Sequence, residues 1–442
     1  MTQLPEIFLQ QMRDILPPNE FDAFINSYAA PTIRGLRLNK LKPSQLYSNL
    51  PHVPWCSNGR MYPDDMRPAK SIFFHAGLFY IQEPSAMCPV EVLQPQPGHK
   101  VLDLCAAPGG KSAQIAGYLQ GRGLLMANDA SPSRSRALVK NLERMGVTNA
   151  VVTTEMPKKL ADRFPNFFDR VLVDAPCSGE GMFRRDADAI KAYTANKPDA
   201  CVAMQTEILR YAAKMLKPGG RLVYSTCTFN IKENEGVIMD FLATNNDFEI
   251  VPLEHVQLGI SQGLGALPQA GRIFPHLANG EGHFVALLQK GGVADDMPNI
   301  AKSNTPKEFA EFCNTQLTTP LPPGVIVPHG ANLYLQPEPL DLRGIRVARS
   351  GWFLGECAKN RFEPSQALAM GLCKTDAVHN AELSEDDALR YLRGESLHAD
   401  ELLQNTGGKP WVLICHQSFP LGWAKLVQGR LKNNLPVGWA VS

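Results

Sequence analysis

Two cysteines sit in surroundings that invite chemistry. Cys177 lies in Asp174-Ala-Pro-Cys-Ser-Gly-Glu-Gly181 and Cys227 in Tyr224-Ser-Thr-Cys-Thr228, and each follows a short apolar run of strand length. A thiolate is nucleophilic at neutral pH and can leave again, which suits reversible addition to an electrophilic ring carbon. C5 of cytosine, for instance, is a poor nucleophile. It is alkylated only after attack at C6 has turned the ring into an electron-rich enamine. A base must then take the C5 proton before the thiolate departs. Asp174 brings a carboxylate to the same neighbourhood. Most single cysteines are small buried hydrophobes, and most of the ten in this chain read that way.

A ligand turn precedes them. Val101-Leu-Asp-Leu-Cys-Ala-Ala-Pro-Gly-Gly-Lys-Ser112 reads as a strand, a turn of small residues and the start of a helix, a pattern that lets a ligand approach the backbone closely. Gly110-Lys111-Ser112 matches the end of a P-loop, but the first glycine of that motif falls on Cys105. The dinucleotide fingerprint keeps only its last glycine. What remains is an open α/β sheet holding an adenosyl ligand at the carboxyl ends of its strands. Asp129, nineteen residues past Gly110, stands where an acid accepts from a ribose diol, or caps the helix that starts near Pro132.

The elements that must position these groups alternate between 98 and 290. Apolar runs at 101–105, 124–128, 150–154, 171–173, 221–225 and 284–288 predict strands, and 132–145 and 202–216 predict helices, the second stopped by Lys-Pro-Gly-Gly at 217–220. This is the signature of a parallel sheet with helices on both faces. Residues 291–330 read as a linker with a short helix at 306–313.

The 442 residues suffice for several domains, and 44% apolar with 20% charged residues is ordinary for a globular protein. A net charge of +1 argues at first against a nucleic-acid partner. The charges are segregated, however. Arg34, Arg37, Lys40 and Lys42 occur in one run without an acid; Arg343, Arg346, Arg349, Lys359 and Arg361 outnumber Asp341 and Glu356; and Lys409, Lys425, Arg430 and Lys432 are interleaved with Trp411, Phe419, Trp423 and Trp439. Eight carboxylates are concentrated between Asp376 and Glu401. These basic blocks are expected to hold phosphates and stack bases, as RNA-binding modules do. No signal peptide or membrane span is expected, and the absence of any C-x-x-C pair argues against a zinc site or disulfide framework and for a reducing cytosol.

Leu104-Cys-Ala-Ala-Pro-Gly-Gly-Lys111, together with the two cysteine motifs, resembles the RNA cytosine-5 methyltransferases of the NOL1/NOP2/Sun family. Tyr80-Ile-Gln-Glu-Pro-Ser-Ala-Met87, Lys232-Glu-Asn-Glu-Gly236 and Arg272-Ile-Phe-Pro-His276 add to the resemblance. Gly355-Glu-Cys-Ala-Lys-Asn-Arg-Phe-Glu-Pro-Ser365 and Leu421-Gly-Trp-Ala-Lys425 extend it to the C-terminus of the branch that acts on small-subunit ribosomal RNA.

The resemblance implies an α/β fold. A Rossmann-like class I S-adenosylmethionine-dependent methyltransferase core occupies 91–290, between a small N-terminal RNA-binding region at 1–90 and, after the linker at 291–330, a C-terminal PUA-like region at 331–442. It implies that Cys227 attacks C6 and Cys177 assists breakdown of the adduct, although DNA enzymes attack with a Pro-Cys motif, which keeps Cys177 a rival nucleophile. Asp174 is expected to bond the cytosine edge, favouring N3 protonation, and to lie beside the methionine part of the cofactor, while Lys111 orients the site electrostatically. Cys105, Ala106, Ala107, Pro108, Gly109, Gly110, Lys111, Asp129 and Asp174 are expected to hold S-adenosylmethionine, with Glu155 near the adenine in a register that Met156 leaves open. The implied partner is 16S rRNA or the small ribosomal subunit, the target a decoding-region cytosine of the 1407 type. A cytoplasmic monomer without metal or membrane is expected. The alternatives are the same chemistry on transfer RNA or another ribosomal RNA site, and a non-catalytic RNA-binding assembly factor.

Overall fold

The computed structural model describes residues 4–194, 197–253, 259–294, 304–359, 361–399 and 410–441. Short apolar runs build its middle. β1 (Lys100–Asp103), β2 (Leu124–Asn128), β3 (Ala150–Thr153), β4 (Phe168–Asp174) and β5 (Leu216–Thr226) pair in parallel in the spatial order β3-β2-β1-β4-β5. Every residue of β2 and β3 is buried, as strands covered on both faces require. Successive side chains serve opposite faces. Val101, Leu125 and Val152 pack under α1 (Gly110–Leu119) and α2 (Pro132–Arg144), whereas Leu102, Met126 and Val171 pack under α3 (Pro157–Arg163), α4 (Lys197–Met215) and α5 (Val237–Thr244).

The sheet continues past β5 with an antiparallel strand, β9 (His283–Lys290), which is also joined by β6 (Phe248–Val251) and, through β8 (Gly271–Ile273), by β7 (Ser261–Gln262). At the opposite edge β10 (Val347–Arg349) comes from the C-terminal region and pairs antiparallel with β3. The Lys-Pro-Gly-Gly run does end α4, at Met215, but it belongs to β5 rather than to a free turn. The pairing of β4 with β5 shifts between Phe168 and Arg170, and the left-handed φ of 75° at Gly219 lets the extra residues loop out.

Two N-terminal helices, Glu6–Ile15 and Pro18–Ser27, lay Phe8, Met12 and Phe24 against Phe183 and Phe229, directly behind the two cysteine loops. A four-stranded sheet containing Arg34–Leu38, Cys56–Tyr62 and Phe79–Ile81 follows. The basic run within it is not a phosphate-facing surface. Arg37 is buried and donates to the Gly110 carbonyl at 2.7 Å, Lys42 is buried against the Ala76 carbonyl at 2.7 Å, Lys40 lies over the Tyr118 ring, and Arg34 pairs with Asp64. Arg37, Lys40 and Lys42 satisfy backbone carbonyls and a ring face that the docking of this sheet onto the core would otherwise leave without donors.

The C-terminal residues form a four-stranded sheet containing Asn332–Gln336 and Trp352–Ala358, then a five-stranded sheet containing Trp411–His416, Phe419–Val427 and Arg430–Asn433. A helix, Lys307–Gln316, packs Phe309 and Phe312 into the same apolar cluster as Trp352, Trp411 and Trp423. The expected base-stacking role of Trp411 and Trp423 is therefore unavailable, because both are core side chains. The arginines of the block around 343–361 are likewise engaged, Arg343 with Asp341, Arg346 with Glu155, Arg349 with Glu143 and Arg361 with Glu363, while Lys359 is exposed. Arg430 and Lys432 remain exposed, while Lys409 lies outside the described residues. Among the described residues no helix is long and apolar enough to cross a membrane.

Candidate active site

β4 and β5 end side by side, with Asp174 opposite Ser225 in register, so the loops that leave them carry Cys177 and Cys227 to one place at the carboxyl edge. The two sulfurs are 3.4 Å apart. Around them the loops are tied by buried groups. The Gly181 N–H donates to the Cys227 carbonyl at 2.8 Å, and a Cβ at residue 181 would come within 2.8 Å of that oxygen, which only glycine avoids. Glu233 accepts from the Ser178 N–H at 2.9 Å and from Gln205 at 3.0 Å. Glu180 accepts from the Phe229 N–H at 2.9 Å, the Tyr193 hydroxyl at 2.9 Å and the Gln11 amide. Burial pushes both carboxyls up. The bond to Cys227 and burial push the Cys177 thiol well up, so it carries a proton at neutral pH.

Lys111, in the first turn of α1, donates to Asp174 Oδ2 at 2.7 Å. Burial works against both charges, yet the pair prevails: Lys111 is held above the ordinary lysine value, and Lys111 with His283 holds the Asp174 carboxyl well below the usual range. Asp174 is thus an ionised acceptor that has no proton of its own for N3. Its Oδ1 accepts from Ser225 Oγ at 2.9 Å and lies 3.5 Å from His283 Nε2.

Beside this centre, a cavity of about 220 Å³ opens between the ends of β1, β2 and β4, the start of α3 and the middle of α4. Leu104, Cys105, Asn128 and Asp129 line it on the sheet side, and Met156, Pro157, Ile208 and Tyr211 give it apolar walls that suit a flat ring. Asp129 accepts from the N–H groups of Ser131 at 3.0 Å and Ala107 at 3.2 Å. Ser131, not Asp129, caps α2 with its hydroxyl, which leaves Asp129 to face the cavity. Ala106 and Ala107 are buried, Pro108 is exposed, and Gly109 sits at a φ of 110°. At Gly110 a Cβ would crowd Gln82 at 3.1 Å and Tyr80 at 3.2 Å, which explains the pairing of this turn with the Tyr80-Ile-Gln segment. Glu155 is not among the residues that line this cavity. Its carboxylate turns away from the cavity to Arg346, Lys159 and the Met156 N–H, and these partners hold it low against the effect of its burial.

The motifs located Cys177, Cys227, Asp174, Lys111 and Asp129 in one region, and the fold assembles them there. Sequence reasoning missed the cavity walls on α4, the buried staples Glu180 and Glu233, and the partners of Asp174, Ser225 and His283. Glu180 and Glu233 lay within quoted motifs, which is the signal that could have found them.

Comparison with known proteins identifies the family. Residues 90–289 match the family model of the 16S rRNA methyltransferase RsmB/F, residues 4–84 the N-terminal domain of 16S rRNA methyltransferase RsmF, residues 311–372 its first C-terminal domain and residues 378–441 its PUA domain. The ribosomal RNA small subunit methyltransferase F of Erwinia tasmaniensis is 34% identical over 98% of this chain and 96% of that protein. The chain belongs to the 16S rRNA methyltransferase RsmB/F family. Its core is the Rossmann-like methyltransferase domain of that family, flanked by the RsmF-type N-terminal domain and a C-terminal PUA domain. Solved structures resemble the chain as well. A methyltransferase homolog from Pyrococcus horikoshii is 30% identical, with a TM-score of 0.56 over 65% of this chain and 95% of that one. NSun6 from the same organism, 21% identical with a TM-score of 0.57 over 65% of this chain and 99% of that one, shares the fold.

Proposed function

We propose that this protein methylates C5 of a cytosine in 16S rRNA, at the decoding region, through a covalent bond between Cys227 and C6. One observation carries the reading: two thiols 3.4 Å apart stand beside the Lys111–Asp174 pair, next to a nucleoside-sized cavity. The cavity residues fit S-adenosylmethionine. Asp129 would take the ribose hydroxyls and Met156, Ile208 and Tyr211 the adenine, while the turn from Cys105 to Gly110 would follow the methionine part toward Asp174. When bound there, S-adenosylmethionine supplies the electrophilic methyl group.

The chain's own groups do the rest. Cys227, as thiolate, forms a bond to C6, the C5–C6 π pair becomes a C4–C5 double bond and the C4–N3 π pair moves onto N3, leaving an enamine whose C5 is nucleophilic. Asp174, ionised, accepts from the 4-amino group of cytosine, and the Lys111 ammonium stabilises the charge that develops on the ring. After methylation a base takes the C5 proton, that bonding pair restores the double bond, and the Cys227 sulfur leaves. Cys177, protonated at 3.4 Å, donates its proton to that sulfur. A base inside a helix is out of reach, so the target is unpaired or flipped. Residues 1–90 and 331–442 are taken as the flanking units that hold RNA, on a monomer that works in the cytoplasm.

Bisulfite sequencing of 16S rRNA from a deletion strain tests the reading. One decoding-region cytosine should lose its methyl group and regain it with the wild-type chain but not with Cys227→Ala. Unchanged methylation in the deletion strain would refute the assignment.

A further inference from the structure

We propose that His283 is a positioning residue that orients Asp174, leaving one acceptor site of its carboxylate for the 4-amino group of the target base. The proposal rests on the reading that Asp174 meets the cytosine. A carboxylate offers about four lone-pair directions. Lys111 occupies one on Oδ2 at 2.7 Å and Ser225 occupies one on Oδ1 at 2.9 Å. His283 Nε2 stands 3.5 Å from Oδ1 on a side chain only 3% exposed; the approach is too long or too poorly aligned for a hydrogen bond in this geometry, and among the described residues Nε2 bonds to no other group. With Ser225 bonded to Oδ1 and His283 poised at its other side, the direction left for the base belongs to Oδ2.

The backbone of His283 is held firmly. It opens β9, where the next residue, Phe284, pairs with Thr226, the residue before the nucleophile, and His283 itself pairs with Ile273 on the other side. A donor placed by two flanking strands keeps its aim better than one on a loop. The chemistry of the choice is discrimination. Cytosine presents an N–H donor at position 4 and uracil a carbonyl oxygen, so an acceptor fixed at that spot admits the first and repels the second. Without His283 the carboxylate is free to swing about Lys111 and Ser225, and the alignment at the moment of attack is lost.

The test compares His283→Phe, which removes the donor, with His283→Gln, whose amide can replace it, using labelled S-adenosylmethionine and small-subunit particles. His283→Phe should lower kcat roughly tenfold or more with cofactor KM unchanged, and His283→Gln should recover most of the loss. Wild-type kcat in His283→Phe, or a Gln variant as slow as the Phe variant, overturns the proposal while leaving the cytosine reading intact; absence of wild-type transfer overturns both. A readout independent of activity is the 15N shift of the His283 side chain, which should move in Asp174→Asn. No movement also overturns the proposal.

Discussion

Cys177 Sγ and Cys227 Sγ lie 3.4 Å apart although fifty positions separate them in the chain. With Cys177 protonated, its thiol faces the sulfur that must leave the adduct. Cys177→Ala should therefore accumulate a protein–RNA species that survives denaturing electrophoresis, whereas Cys227→Ala forms none. Adduct with the second variant and none with the first would exchange the two roles.

Asp129 faces the cavity while Ser131 caps α2. Asp129→Asn keeps the size but turns one acceptor oxygen into a donor. Cofactor affinity measured by calorimetry should fall about tenfold, the scale of one hydrogen bond to a charged group, with RNA affinity unaltered.

Asp103 is fully buried beneath the cofactor turn, and burial raises its pKa to about 7 despite a bond from Ser112 Oγ at 2.6 Å. Its folded pKa lies above the unfolded value of about 3.9. The stability that its protonated form contributes is complete below that lower value and is lost as pH rises through about 7. The melting temperature of Asp103→Asn relative to wild type should therefore climb between pH 4 and pH 8. A constant difference would show that Asp103 does not titrate in the fold.

Glu155 and Arg346 join the methyltransferase sheet to the C-terminal region, with Arg346 NH2 3.1 Å from Glu155 Oε1. Arg346 is more than half exposed, so solvent weakens the pair. A double-mutant cycle with Ala at both positions should give a coupling of about 0.5–1 kcal/mol in unfolding experiments, with cofactor binding little changed. A large loss of cofactor affinity in Glu155→Ala would instead return Glu155 to the adenine site.

Phe8 is fully buried, its ring 5.1 Å from Phe183 and 6.4 Å from Phe229. Phe8→Ala should destabilise the protein by about 3–5 kcal/mol. Because those rings stand behind both cysteine loops, kcat should fall as well, even well below the melting temperature. Full activity at low temperature would show that the loops do not depend on this packing.

The thiols, Asp174, Lys111 and the glycine turn were legible because their chemistry is written in short contiguous motifs. The core strands were legible because burial on both faces leaves runs such as 124–128 without a polar break. What stayed hidden depends on direction or distance. Arg37 and Lys42 read as a basic patch, since charge in a sequence carries no sign of which way a side chain points, and both turn inward to carbonyls. Met204, Ile208 and Tyr211 follow a helical stripe indistinguishable from core, yet all three line the cavity. Glu155 finds Arg346 across 191 positions, and β10 is too short to register as a strand.

That last strand has a consequence for synthesis. β3 has both of its neighbours only when Val347 has emerged from the ribosome, because β10 is its outer partner. At roughly 5–20 residues per second, the edge of the catalytic sheet stays open for about 10–40 s after β3 itself is made. During that interval a nascent methyltransferase offers bare backbone to any passing strand, and a chain truncated in the region 291–330 never closes it. The C-terminal region is thus a late-arriving cover for the newborn catalytic sheet.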